Sequence, residues 1–320
     1  MQTSSNADPR KSERIVVVGS GLMGRGIGQA FAAGGYKVKL VDINRQILED
    51  AIDQTRAFLQ EMSEEGFLGE PIDVILDRIS IQPDLNKAVA DATFVVEAVF
   101  EDLELKKDVF RRLSSSASPS CILTSNTTSI RISTLASVSK NPERVIGTHF
   151  WNPAQLMRAV EVVMGDKTSQ KTVEKTVSIL ESIGKRPAVV KKDVPGQIGI
   201  RILYAMIREA TWLVENGVAS PKDIDTAVKE ALGTRLEVVG PLELADLSGV
   251  DLVNSVAKTL YSSLDSSNEP QKIIQDMVEK GDLGIKSGKG FYDWKKDRDP
   301  ERTLRERDEH LIEILKRSKG

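Results

Sequence analysis

One cysteine in 320 residues leaves no partner for an internal disulfide, and no second Cys or His stands near Cys121 at metal-ligand spacing. Within Ser120-Cys121-Ile122-Leu123 the expected role is a buried structural thiol, and no metal site is expected. Neither sign of charge prevails: 44 Lys and Arg face 47 Asp and Glu, for a net charge of −3. The chain therefore has no basic footprint for nucleic acid or an anionic membrane. No apolar run approaches the ~20 residues of a membrane-spanning helix. Residues Met1 to Glu13 are polar and lack the apolar core of a signal peptide. The expectation is a cytoplasmic protein whose partner is a small-molecule substrate, not nucleic acid or membrane.

What is present is a hydrophobic content of 40%, enough to bury a sizeable core, at a length that suggests about two domains. Arg14 to Val18 reads as a buried strand, Ile27 to Ala32 as part of a helix and Lys37 to Asp42 as a second strand, which together form a βαβ unit. Further strand-like runs at 92–96, 121–124, 144–147 and 160–163 alternate with helical patterns. That rhythm predicts an α/β fold, a doubly wound (Rossmann-type) parallel sheet. After Val194-Pro195-Gly196 it gives way to long amphipathic stretches at 198–216, 223–232, 242–264 and 269–280. A mostly helical C-terminal domain is expected there, because Pro and Gly stop regular structure. The resulting division is a disordered segment at 1–13, a Rossmann domain at 14–194, a helical substrate and dimerisation domain at 195–295, and a charged, solvated helix at 296–320. In that last stretch Leu304, Leu311 and Leu315 lie near one face, and partner contact is the minor reading.

Gly19-Ser20-Gly21-Leu22-Met23-Gly24 is G-x-G-x-x-G between a strand and a helix, the context that makes this pattern specific. Gly19 permits the tight turn, Gly21 lets the backbone approach a pyrophosphate, and Gly24 allows close packing of helix on strand. The helix start at Leu22 and Met23 stabilises the phosphate charge. Asp42, ending the second strand, is placed to accept from ribose hydroxyls. A carboxylate there repels a 2′-phosphate, so the expected cofactor is NAD, with Arg45 as the one neighbouring cation that favours NADP.

Histidine is nearly as scarce as cysteine, with two residues. His310 sits in the charged tail, so His149, in Gly147-Thr148-His149-Phe150-Trp151-Asn152-Pro153, is the one credible acid/base. Glu161 follows shortly after, and a histidine beside a carboxylate is held in one tautomer and favoured in its protonated form. Between the glycine turn and His149 lies the hydroxyl-rich Ser125-Asn126-Thr127-Thr128-Ser129. A base with an orienting acid, near a nucleotide fold, is what oxidation of a secondary alcohol requires. Asn126 is expected on the cofactor side and Asn152 on the substrate side, although either can instead brace the histidine loop.

Together these motifs resemble the 3-hydroxyacyl-CoA dehydrogenase family. The resemblance runs from Ile15 to about Trp294, through Val96-Glu97-Ala98-Val99, Ser125-Asn126-Thr127, Val160-Glu161-Val162, Val194-Pro195-Gly196 and Gly284-Ile285-Lys286-Ser287-Gly288-Lys289-Gly290-Phe291-Tyr292. It implies that His149 removes the proton from a substrate 3-hydroxyl, that Glu161 orients it, and that Thr128, where the family has serine, binds the reacting oxygen. It implies a homodimer, and a place for Glu97 near the nicotinamide ribose, though a strand-end carboxylate equally caps the next helix. Two departures stand out. Ile200 replaces the family's substrate-contacting asparagine, with Gln197 as the neighbour able to substitute. Residues 57–77, the excursion whose basic residues in the family contact coenzyme A, hold no Lys or Arg but carry Glu61, Glu64, Glu65, Glu70, Asp73 and Asp77. In addition, Ala231-Leu232-Gly233-Thr234-Arg235, followed by Gly240-Pro241, resembles the branch that oxidises small free hydroxy acids, such as the L-gulonate and carnitine dehydrogenases. Arg235 there is a candidate to pair with a substrate carboxylate, and Arg158 a second anion contact. The reading is an NAD-dependent 3-hydroxyacyl/3-oxoacyl oxidoreductase, with a CoA-free hydroxy-acid dehydrogenase and a catalytically silent cofactor-binding protein as alternatives.

Overall fold

The computed structural model describes residues 13–317, so the expected disordered segment at 1–13 lies outside the described residues except for Glu13. Eight strands form one sheet: β1 (Arg14–Val18), β2 (Lys37–Val41), β3 (Ile79–Ile81), β4 (Phe94–Glu97), β5 (Ile122–Ser125), β6 (Val145–Phe150), β7 (Ala159–Met164) and β8 (Arg186–Val190). Their order is β3-β2-β1-β4-β5-β6-β7-β8. Alternate side chains of β1 leave on opposite faces. Ile15 and Val17 join a core with Phe31, Leu40, Phe94 and Ile146, while Val16 and Val18 join another with Val95, Phe110 and Leu123. Both faces are thus covered by helices, which is why the strands read as continuous apolar runs rather than alternating ones.

The sheet is not parallel throughout. β7 runs antiparallel to β6, and β8 runs parallel to β7. The connection between β6 and β7 is a short loop over residues 151–158, too short for the crossover a parallel pair needs. β8 begins Arg-Pro at the sheet edge, where a missing proline N–H costs no ladder bond.

One compact unit runs through Ile200 and takes the chain back from Arg307; the other is Arg201–Glu306. The division falls beyond Pro195-Gly196 because the next residues are tied to the sheet: Gln197 Nε2 donates to Thr127 O, and the Ile198 and Gly199 amides donate to Glu161. The second unit is helical, built from the rest of Gly199–Glu215 and from Pro221–Ala227, Pro241–Ser248, Val250–Leu260 and Lys272–Lys280.

Two expectations about the first unit need correction. The terminal helix, Pro300–Arg317, is not solvated on all sides, because Ile312 is 3% exposed and packs with Met62 and Leu156, flanked by Phe58, Phe67, Leu68, Leu311 and Leu315. Nor does the acidic excursion stand uncompensated. It folds as the end of helix Arg45–Glu64 and the short helix Ile72–Leu76. Asp73 pairs with Arg56 at 2.9 Å, Glu70 with Arg78 at 2.6 Å and Glu65 with Lys316 of the terminal helix at 3.1 Å.

Candidate active site

The glycine turn has the shape its sequence requires. Gly19 has φ +91° and lies so close to β4 that a Cβ would sit 2.6 Å from Ala98 O. A Cβ on Gly24 would overlap the Gly19 carbonyl, so the helix Leu22–Ala33 rests directly on the turn. At Gly21, the residue capping that helix, a Cβ would meet nothing within 4 Å. Open space over a helix N-terminus, where the Leu22 and Met23 amides begin the helix, fits a pyrophosphate. Asp42 closes the far side: its Oδ2 accepts from Ser20 N at 2.9 Å and its Oδ1 from Asn44 N at 3.1 Å. These bonds aim the carboxylate along the end of β2, where a ribose would lie.

His149 and Glu161 are directly opposed residues of the antiparallel β6–β7 pair. Their side chains therefore leave the same face of the sheet. His149 Nδ1 donates to Glu161 Oε2 at 2.8 Å, with each residue only 3% exposed. The other carboxylate oxygen, Oε1, accepts from the Ile198 and Gly199 amides at 2.8 and 2.9 Å, where helix Gly199–Glu215 begins. Burial pushes the Glu161 carboxyl upward, but the hydrogen bonds from His149, Gly199 and Ile198 outweigh it and hold the group below the ordinary carboxylate range. Glu161 is therefore an anion at neutral pH, and Nε2 is the imidazole nitrogen left for chemistry. The Trp151 ring packs on the imidazole with centroids 5.1 Å apart, and it touches Gly199 so closely that a Cβ there would strike it.

The hydroxyl-rich loop is organised by a residue that sequence reasoning missed. Glu101 Oε1 accepts from Thr127 Oγ1 (2.6 Å), Thr128 N (3.1 Å), Thr128 Oγ1 (3.3 Å), Ser129 N (2.9 Å) and Ser129 Oγ (2.8 Å). Burial raises its carboxyl, but the Thr127 hydroxyl, the Ser129 amide and hydroxyl and the Lys106 ammonium draw it down to about 2. The longest and weakest of these bonds is the one to the exposed Thr128 hydroxyl, which can turn to a substrate oxygen. All the partners lie 26 to 28 residues downstream, beyond any local spacing rule. The only signal was a second acid four residues after Glu97.

The contact expected between Glu97 and the nicotinamide ribose needs revision. Glu97 is 0% exposed, and its oxygens accept from Lys106 Nζ (2.6 Å), Val99 N (2.7 Å) and Ser125 Oγ (2.6 Å), leaving no face open to a cofactor. Asn126 braces the histidine loop, since its Oδ1 accepts from Phe150 N at 2.7 Å. Asn152 is exposed beside it. Gln197, at φ +50°, spends its amide N–H on Thr127 O at 3.1 Å, while its Oε1 is buried without a partner. Arg235 lies in the second unit, exposed, with Nε donating to Ala231 O at 2.8 Å.

A dinucleotide cradle with a buried His–Glu pair on the same sheet is the equipment of an NAD-dependent oxidoreductase acting on a CH–OH group. Residues 14–194 match the family model for the 3-hydroxyacyl-CoA dehydrogenase NAD binding domain, and residues 196–294 match that for its C-terminal domain. The chain belongs to the 3-hydroxyacyl-CoA dehydrogenase family. It is 37% identical over 292 residues to the mitochondrial hydroxyacyl-coenzyme A dehydrogenase of Sus scrofa, covering 88% of this chain and 91% of that protein. Many crystal structures are similar, two dehydrogenases among them. The 3-hydroxybutyryl-CoA dehydrogenase from Escherichia coli K12 has a TM-score of 0.75 at 38% identity, over 90% of this chain and 61% of that one. A 5-formyl-3-hydroxy-2-methylpyridine 4-carboxylic acid 5-dehydrogenase, described as an NAD+-dependent dismutase, has a TM-score of 0.87 at 32% identity, over 96% and 99%.

Proposed function

We propose that the chain interconverts the 3-hydroxyl and 3-oxo groups of a 3-hydroxyacyl-CoA substrate, with His149 as the base, Glu161 as its orienter and Thr128 as a hydroxyl that binds the reacting oxygen. The observation that carries this reading is the 2.8 Å bond from His149 Nδ1 to a carboxylate that is itself fixed by two backbone amides. That bond fixes the ring and directs Nε2 toward the substrate hydroxyl. As the hydroxyl proton moves to Nε2, the Glu161 anion stabilises the imidazolium. NAD, when bound, supplies the acceptor for the hydride that leaves C3. Asp42 and the amides at Gly21 to Met23 are the groups that would hold it. A pair this well ordered argues against a catalytically silent protein.

The second reading, a CoA-free carboxylate substrate, rests on two observations. The terminal helix covers the excursion through Ile312 and Leu315, and the similar structure that matches this chain nearly end to end acts on a pyridine carboxylic acid. Gln197 and Asn152 stand near the His–Glu pair as substrate contacts in either case, and Arg235 is the cation offered to a free carboxylate.

We also propose a homodimer in the cytoplasm, with a role in fatty acid metabolism. The second unit buries no large apolar side chain among its described residues, and Leu252, Val256 and Tyr261 stay at least half exposed, a face that a second copy would cover. No helix is long and apolar enough to cross a membrane among the described residues. The deciding experiment is NADH formation across a panel of CoA-linked and CoA-free 3-hydroxy acids. Turnover restricted to CoA thioesters supports the first reading, turnover restricted to free acids supports the second, and none with either class removes both.

A further inference from the structure

Away from the His–Glu pair, the first unit contains a cavity of about 450 Å³, within the size range of small-molecule sites. None of its walls belongs to the glycine turn, the hydroxyl loop or the His–Glu pair. Its apolar lining includes Met62, Phe67, Leu68, Leu156, Ile183 and Leu315, contributed by the excursion, the loop after β6, the turn before β8 and the terminal helix.

The polar lining is what distinguishes it from a packing defect. Lys185 is 5% exposed, and its ammonium donates to Ala154 O at 2.6 Å, Met157 O at 2.8 Å and, weakly, Gln155 O at 3.5 Å. Three neutral carbonyls satisfy its hydrogens, but no carboxylate compensates its charge, and burial lowers its pKa to about 8. The guanidinium of Arg158, half-buried on the same wall, makes no ion pair or hydrogen bond among the described residues, although its backbone carbonyl accepts from Arg186 N at 2.7 Å. The one acid in the lining, Glu70, is already paired with Arg78 at 2.6 Å. Gln29 is 3% exposed, and its carboxamide has a single contact, Nε2 to the Met62 sulfur at 3.4 Å. Buried amides nearly always hold stronger partners than a thioether, and a buried cation without a counter-charge is costly.

We propose that this cavity is a second ligand site, separate from the active site, for a monocarboxylate with an apolar body. The carboxylate sits between Lys185 and Arg158, with Gln29 as an added donor. The hydrocarbon or aryl body lies against Phe67, Leu68, Ile183 and Leu315. A charge-assisted pair with a guanidinium supplies orientation, and the apolar walls supply most of the driving force.

The test is calorimetric titration of the NAD-saturated full-length protein with octanoate, 3-phenylpropionate and 1-octanol. Saturable binding of one or both acids, with 1-octanol at least tenfold weaker, is expected. An octanoate preference identifies a fatty acid site, and a 3-phenylpropionate preference an aryl acid site. Arg158→Ala should weaken acid binding tenfold or more while leaving 1-octanol unchanged, and Gln29→Leu should weaken it less. Lys185→Met removes the ammonium as well, but it also removes three bonds from the 154–157 turn, so the half-exposed Arg158 carries the decision. Absence of saturable acid binding, equal affinity for 1-octanol, or acid binding unaltered by Arg158→Ala would each overturn the proposal.

Discussion

At the scale of single residues, three side chains set testable limits. Replacing His149 by Gln removes the base but leaves the glycine turn intact, so turnover should fall roughly 10²–10⁴-fold with little change in NAD affinity. Steady-state kinetics with a parallel cofactor titration checks this, and retained turnover removes His149 from the mechanism. Asp42, aimed by Ser20 N and Asn44 N, should favour NAD over NADP by at least roughly tenfold, since a 2′-phosphate would face its carboxylate. Titration with both cofactors decides it, and equal affinities would free Asp42 of the role. Glu101 makes a prediction in pH. Its carboxyl lies at about 2 in the fold against 4.5 in the unfolded chain. A depressed pKa means the unfolded state binds the proton first, so the contribution is complete above pH 4.5 and is lost as pH falls toward 2. Denaturant midpoints for the wild type should therefore drop more steeply across that window than those of Glu101→Gln, and parallel profiles would mean the five bonds add no net stability.

At the scale of elements, what the sequence revealed followed the range of the contacts involved. The β1–turn–helix–β2 unit was legible because its punctuation is local: a strand, three glycines and an acid at the next strand end. His149 and Glu161 are legible as a pair only through the rarity of histidine and the family resemblance. The geometry that joins them, antiparallel pairing across an eight-residue loop, was not, because a run such as Val160 to Val163 carries no direction. β3 and β8 are not legible for a related reason: three residues and a proline-bearing edge give too little periodicity. The terminal helix reads as solvated because dense charge hides a narrow apolar stripe whose partners, Met62 and Leu156, are 250 and 156 residues away in sequence. Its docking yields a prediction. Ile312→Ala should destabilise the first unit by roughly 2–5 kcal/mol, the cost of emptying a packed site, whereas an exposed change such as Arg305→Ala should cost within about 0.5 kcal/mol. Chemical denaturation of the two variants measures the difference, and equal small effects would return the helix to solvent.

At the scale of the whole molecule the open variable is the substrate's handle. The excursion is less repulsive than its composition suggested, because half of its six carboxylates are paired with Arg56, Arg78 or Lys316. That removes one objection to a CoA thioester, while the terminal helix lying on the same excursion adds another. The Ile200 side chain cannot supply a hydrogen bond under either reading, and Gln197, 5% exposed, already has one amide hydrogen on Thr127 O. The discriminating group is therefore Arg235, whose guanidinium keeps its terminal nitrogens free of carboxylates among the described residues. If a free acid is the substrate, Arg235→Ala removes a charge-assisted bond formed alike in ground and transition states. KM for small 3-oxo acids should then rise roughly tenfold to a hundredfold with kcat little changed. If a CoA thioester is the substrate, no carboxylate occupies that position. Wild type and Arg235→Ala should then reduce acetoacetyl-CoA at similar rates, and Ile200→Asn should speed the reaction by restoring a polar contact. Rapid reduction of acetoacetyl-CoA by the wild type, unaltered by Arg235→Ala, would end the CoA-free reading, and a KM effect confined to free acids would end the other.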